Sequence, residues 1–100
     1  MRTFGKDSPK FMAFKVEGDD TTYKLPLSGS IRAEYNVRLY RAMSAGADSE
    51  REYLLQELML DMFREYLGDG FVDALDVSTM LDIWRAWQEE SAKANQEPGE

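Results

Sequence analysis

The chain has no cysteine and no histidine. Without thiols there are no disulfides and no zinc–thiolate sites, which suits a reducing cytosol. Without imidazole it lacks the commonest general base, the usual metal ligand and the side chain that changes charge near neutral pH. Ser–His and Cys–His nucleophile pairs are thereby excluded. A glycine-rich phosphate loop is missing as well: Gly68 and Gly70 flank the single Asp69, and no Lys-Ser/Thr pair follows. No apolar run approaches the roughly 20 residues that a bilayer span needs. The opening residues, MRTFGKDSPKF, have no apolar core like that of a signal peptide. The expectation is a soluble, unexported protein, away from membranes, with no cofactor and no catalytic role.

Positive charge is also scarce, and it is unevenly placed. The net charge is −7, which argues against nucleic acid as a partner, because such binding needs a basic footprint. Residues 1–45 carry eight basic and five acidic side chains, whereas residues 46–100 carry four basic and fourteen acidic ones. The halves are therefore +3 and −10. The plain reading is a solvated acidic face with an incidental basic excess. The other is a homo-oligomer assembled head to tail, basic end against acidic end.

What is present fits one domain over residues 1–100, long enough to bury roughly 60–70% of the unfolded chain's surface. The expected fold is α+β and mostly α: an N-terminal β-hairpin followed by a small bundle of three to four helices. Residues 1–10, with Gly5 and Pro9 and no periodicity, read as a flexible segment. Residues 11–27, FMAFKVEGDDTTYKLPL, read as the hairpin. A first strand runs to Val16, Glu17-Gly18-Asp19-Asp20 supplies turn chemistry, and a second strand runs from Thr21 into Pro26, where pairing on that edge stops. Tyr23 and Leu25 share the face expected to meet the helices, and one strand edge is left for a neighbour.

The helical body spans residues 30–94. Ser30 is placed to cap a first helix from about Ile31 to Met43, whose stripe is Ile31, Tyr35, Leu39 and either Ala42 or Met43. Val37 and Tyr40 fall off that stripe and suggest a second contact surface, with Arg41 beside them. A second helix, capped by Asp48 or Ser49, carries a broad apolar arc from Leu54 to Tyr66 and ends at Gly68. FVDAL, residues 71–75, suits a single turn. Asp76 or Ser78 then caps a last helix with the stripe Met80, Trp84, Trp87 and Ser91. Residues 95–100 read as a frayed tail.

Two acidic groupings carry a chemical reading and a plainer one. Asp69, Asp73 and Asp76 lack the spacing of a calcium loop and read as helix-end acids. Glu57, Asp61 and Glu65 stand at i, i+4 and i+8 and read as a solvated face, with Arg64 damping the repulsion. Met12, Met43, Met59, Met62 and Met80 read as core filler. Trp84 reads as core, while Trp87 reads equally as core or as an interface anchor. The candidate protein-interaction residues are therefore Val37, Tyr40, Arg41 and Trp87.

The hairpin and last helix together resemble the small tail assembly chaperones of long-tailed bacteriophages and prophages. The resemblance rests on Phe14-Lys15-Val16, on Tyr23-Lys24-Leu25-Pro26-Leu27 and on residues 72–91, with Leu75, Leu81, Trp84 and Trp87 as apolar marks. It implies a non-enzymatic protein of the host cytoplasm, absent from the mature virion. Its partner would be the helical tape measure protein, which it binds before the tail tube polymerises. It further implies that a longer form made by ribosomal frameshifting is common in such proteins. Set beside it is a different class, a small acidic module or inhibitor that binds a basic partner surface.

Overall fold

A computed structural model describes residues 1–4 and 9–96. The mobility expected of residues 1–10 and the fraying expected of 95–100 therefore fall partly on residues outside those described. The order of elements is β1 (Phe11–Phe14), β2 (Tyr23–Pro26), α1 (Ala33–Met43), α2 (Asp48–Leu67), α3 (Asp69–Asp73) and α4 (Val77–Gln96). This is the expected α+β, mostly helical fold, with a hairpin leading four helices. The last helix runs past residue 94, through Gln96.

The hairpin is antiparallel with Phe11 opposite Pro26, Met12 opposite Leu25, Ala13 opposite Lys24 and Phe14 opposite Tyr23. Both strands are shorter than expected, because local bonds displace the ladder beyond Phe14. The Asp19 N–H donates to Val16 O at 2.9 Å, closing a turn in which Gly18 has φ +87°, the left-handed region where glycine has no Cβ clash. The Asp19 carboxylate then accepts the Thr21 N–H at 2.9 Å and the Tyr23 hydroxyl at 2.5 Å. Thr21 thus donates to a side chain instead of a strand. Both bonds hold the Asp19 carboxyl below the usual carboxylate range, the tyrosine bond most strongly.

Pro26 does not end the pairing as expected; it pairs. The Leu27 N–H donates to Lys10 O at 2.8 Å. Hydrogen-bonded pairs alternate along an antiparallel ladder, so Met12–Leu25 and Phe14–Tyr23 are bonded pairs. Pro26 falls between them, where its missing N–H is not required. Its carbonyl points away from β1 and accepts the Trp87 indole N–H at 2.7 Å. Further along, the Ser28 N–H donates to Ser91 Oγ at 3.0 Å. Helix α4 thereby occupies the outer edge of β2, and among the described residues nothing pairs with the outer edge of β1 in this two-stranded sheet.

Helix starts differ in how they are made. Asp76 caps α4: its carboxylate accepts the Thr79 N–H at 2.7 Å, and the Thr79 hydroxyl together with that N–H holds the Asp76 carboxyl below its usual range. No side chain caps α1 or α2, whose preceding residues are Arg32 and Ala47. Ser30, expected as a cap, instead accepts the Lys10 N–H at 3.1 Å and ties the start of β1 to the connector before α1. Asp48 lies inside α2 and pairs with Arg51 at 3.1 Å. Gly68, at φ +98°, ends α2 and opens α3. Its N–H donates to Arg64 O at 3.1 Å and its carbonyl accepts from the Val72 N–H at 3.3 Å.

One cluster of buried side chains runs through hairpin and helices: Met12, Leu25 and Leu27, Tyr35 of α1, Leu58, Met59, Met62 and Phe63 of α2, Val72, and Met80, Ile83, Trp84 and Trp87 of α4. Helix α2 is central, touching α1, α3 and β2, as its broad apolar arc implies. Tyr23 and Leu25 face inward as expected: Leu25 is fully buried, and the Tyr23 ring meets Phe71 edge-on at 4.7 Å.

Candidate protein-interaction surface

Helix α1 has two unlike sides. Tyr35 and Ala42 are buried against the body, and a row of polar bonds fastens the same side to α2. Arg38 reaches Asp61 at 2.8 Å and Glu57 at 3.9 Å. The Tyr35 hydroxyl donates to Glu65 at 2.5 Å, and Arg32 meets Glu65 at 3.2 Å while lying over the Tyr35 ring at 4.9 Å. Burial, together with the bond to Glu65, pushes the Tyr35 hydroxyl above its ordinary pKa. The row Glu57, Asp61 and Glu65 is exposed, as expected of a solvated face, and it also forms one half of a helix–helix seam. Arg64, expected to damp it, pairs with Asp69 at 3.0 Å. Tyr35 and Arg38 stand three positions apart on one face of α1, with Arg32 just ahead of the helix, and residues 57, 61 and 65 repeat every four along one face of α2.

The other side of α1 is open. Val37 is 57% exposed and Tyr40 68%. Arg41, one turn beyond Val37, flanks them on the helix surface, and its side chain is exposed. Met43 extends the patch at 56% exposure. Met43 is thus not core filler: of the two alternatives for the end of the stripe, Ala42 is the buried one. Three apolar side chains within seven residues of one helix, turned away from a well-formed core, make a surface suited to another apolar helix face.

Trp87 is not part of any such surface. It is 2% exposed, its ring stacks on Trp84 at 4.9 Å with planes 24° apart, and its N–H is taken by Pro26. An indole that buries its ring and satisfies its donor inside the molecule has nothing to offer a partner. Of the four candidate residues, the structure therefore brings Val37, Tyr40 and Arg41 to one exposed side and places Trp87 in the core.

Among the described residues, no group of three or more Asp and Glu side chains could hold a metal ion. Asp69 is in its pair with Arg64 and Asp76 is in its cap. No helix among the described residues is long and apolar enough to cross a membrane.

Sequence reasoning missed a second concave surface. Between the open edge of β1 and the flank of α4 lies a groove of about 1040 Å³, with Phe71, Leu75 and Ile83 among its lining residues. The signal for it was faint: Thr79, Ile83, Ala86 and Glu90 recur at helical spacing on α4, but beside a stripe of larger side chains.

Comparison with known proteins gives no assignment: neither a protein-family model, nor a curated protein, nor a solved structure gives a significant match to this chain.

Proposed function

We propose that this chain is a tail assembly chaperone of a long-tailed bacteriophage or prophage. In this reading it is a non-catalytic protein that binds the tape measure protein in the host cytoplasm and is left out of the mature virion. The observation that carries the reading is the exposed patch Val37, Tyr40 and Met43 on α1, displayed by a small acidic body that opens with the FKV and YKLPL hairpin. A long helical client exposes apolar stripes before it is enclosed. Helix-on-helix docking at such a patch covers them, and a net charge of −7 keeps the loaded complex soluble. Copies would line up along the client, the basic end of one against the acidic end of the next.

Co-expression with the long helical protein encoded beside it tests the proposal. The two should co-purify, and Val37→Glu with Tyr40→Ala should abolish co-purification while leaving the circular dichroism unchanged. A gene neighbourhood with no tail tube or tape measure gene would sink it. A second reading, an acidic module that binds a basic surface, draws on the −10 half of the chain. It separates cleanly, because binding through α1 should survive a rise in salt and binding through charge should not.

A further inference from the structure

The open edge of β1 and the groove beside it form a surface distinct from the α1 patch. In the ladder, Met12 and Phe14 turn their backbone groups toward β2. Alternation then turns the N–H and C=O of Phe11 and Ala13 outward. Among the described residues the sheet has two strands, and no backbone bond outside the ladder engages Phe11 or Ala13. A strand edge left in this state is a template for a further strand.

The space beside that edge has the shape a strand requires. Residues 11–17 form one wall, and Phe71, Leu75, Thr79, Ile83 and Ala86 line the opposite side. Side chains of an added strand alternate. Those in phase with Met12 and Phe14 would point toward α3 and α4, onto Phe71, Leu75 and Ile83; the others would stand beside Phe11 and Ala13. The flank of α4 that now borders the groove would then be covered by the sheet, as its other flank is covered by β2.

Charge names the occupant. Among the described residues, six carboxylates line the groove (Glu17, Asp19, Asp76, Asp82, Glu89 and Glu90) beside one cation, Lys15. Asp19 and Asp76 are held in the ionised form by their hydrogen bonds. Arg85 and Lys93 offset Asp82 and Glu90 only through exposed pairs at 3.5 and 4.0 Å. An acidic segment would be repelled here and a purely apolar one would leave the rim without partners.

We propose that the edge of β1 is a strand-addition site for an extended partner segment in which apolar residues alternate with lysine or arginine. The backbone of that segment pairs with Phe11 and Ala13, its apolar side chains enter the groove, and its cations meet the acidic rim. This site is independent of the α1 patch, so either proposal can fail without the other.

The test uses the full chain and three fluorescent heptapeptides: alternating Lys-Val, the same peptide N-methylated at alternate amides on its pairing edge, and alternating Glu-Val. The Lys-Val peptide should bind, and more weakly as salt rises. N-methylation should weaken binding by about tenfold or more, through lost backbone bonds, and the Glu-Val peptide should not bind. Ala13→Pro should weaken binding to a similar degree, since it removes an outward N–H from a position that, like Pro26, is not bonded across the hairpin. Glu89→Lys with Glu90→Lys changes exposed residues only, and it should weaken binding even if Ala13→Pro fails to fold. No binding of Lys-Val, or equal binding of its N-methylated form, overturns the proposal. Concentration-dependent dimers of the wild type that compete with the peptide also overturn it, by making a second copy of the chain the occupant.

Discussion

Helix α1 is fastened to α2 by Arg32, Tyr35 and Arg38 against Glu57, Asp61 and Glu65, whereas α4 is fastened to the hairpin by Trp87, which is stacked on Trp84 and bonds Pro26 through its buried indole, and by Ser91 just beyond β2. Both seams join distant parts of the chain, but their physics differs. Several ion-pair side chains of the first remain in water, 49% exposed for Asp61 and 53% for Arg32. Such pairs contribute about 0–1 kcal/mol each. The second seam removes two large aromatic surfaces from water and satisfies the one donor that Trp87 brings. The helix with the exposed apolar patch is thus held partly by adjustable charge contacts, while the helix that completes the core is held by volume. Presentation and stability rest on different helices, and each can be perturbed without the other.

The sharpest way to break this contrast is Trp87→Ala. Emptying that site should destabilise the fold by about 3–5 kcal/mol, measured by urea unfolding. A loss no larger than that of an α1-seam variant would mean that the seams are equivalent. Trp87→Phe retains a ring but leaves Pro26 O without its donor, and should cost about 1–3 kcal/mol. Near-wild-type stability would show that area alone holds the seam.

Tyr35→Phe removes the hydroxyl bond to Glu65 and should cost about 1 kcal/mol, with a pH signature. The Tyr35 hydroxyl is raised above its ordinary value of 10.0 in the fold, so the folded state favours the protonated form. Its contribution is complete below pH 10 and is lost as pH rises through the higher folded-state value. Wild type and Tyr35→Phe should therefore converge in stability at alkaline pH; a constant gap from pH 8 to 11 would refute the assignment. The smallest effect is expected for Arg38→Ala, under about 1 kcal/mol and shrinking with salt, while Trp87→Ala should be indifferent to salt.

The hairpin, the helix order and the exposure of Val37 and Tyr40 were legible in the sequence because each rests on local rules. Gly18 and Gly68 sit at positive φ where the chain turns, and the stripe Met80, Trp84, Trp87, Ser91 is buried along its whole length. What escaped depends on partners far along the chain. The indole of Trp87 bonds a carbonyl 61 positions away, and Asp61 finds Arg38 at a separation of 23. Neither a tryptophan near the end of a stripe nor a carboxylate row reveals such a partner by periodicity. Ala42 and Met43 stand three and four residues beyond Leu39, and either spacing continues a helical stripe, so packing had to choose between them, and it buries Ala42. The groove was hidden for the same reason: Ile83 and Ala86 become a wall only once α4 has been laid beside β1.

The stacked tryptophans have a spectroscopic consequence. They are the only two in the chain; Trp87 sits in the α4–hairpin seam and Trp84 is stacked on it. Indole emission is therefore a private signal of that seam, quenched or shifted when α4 leaves β2 and silent when α1 alone lifts from α2. Their close stacking should also give an exciton signature in ultraviolet circular dichroism that vanishes with either ring. A client that peels α1 away would leave both signals unchanged and alter only the tyrosine spectrum, so one titration can tell which side of the molecule has been engaged.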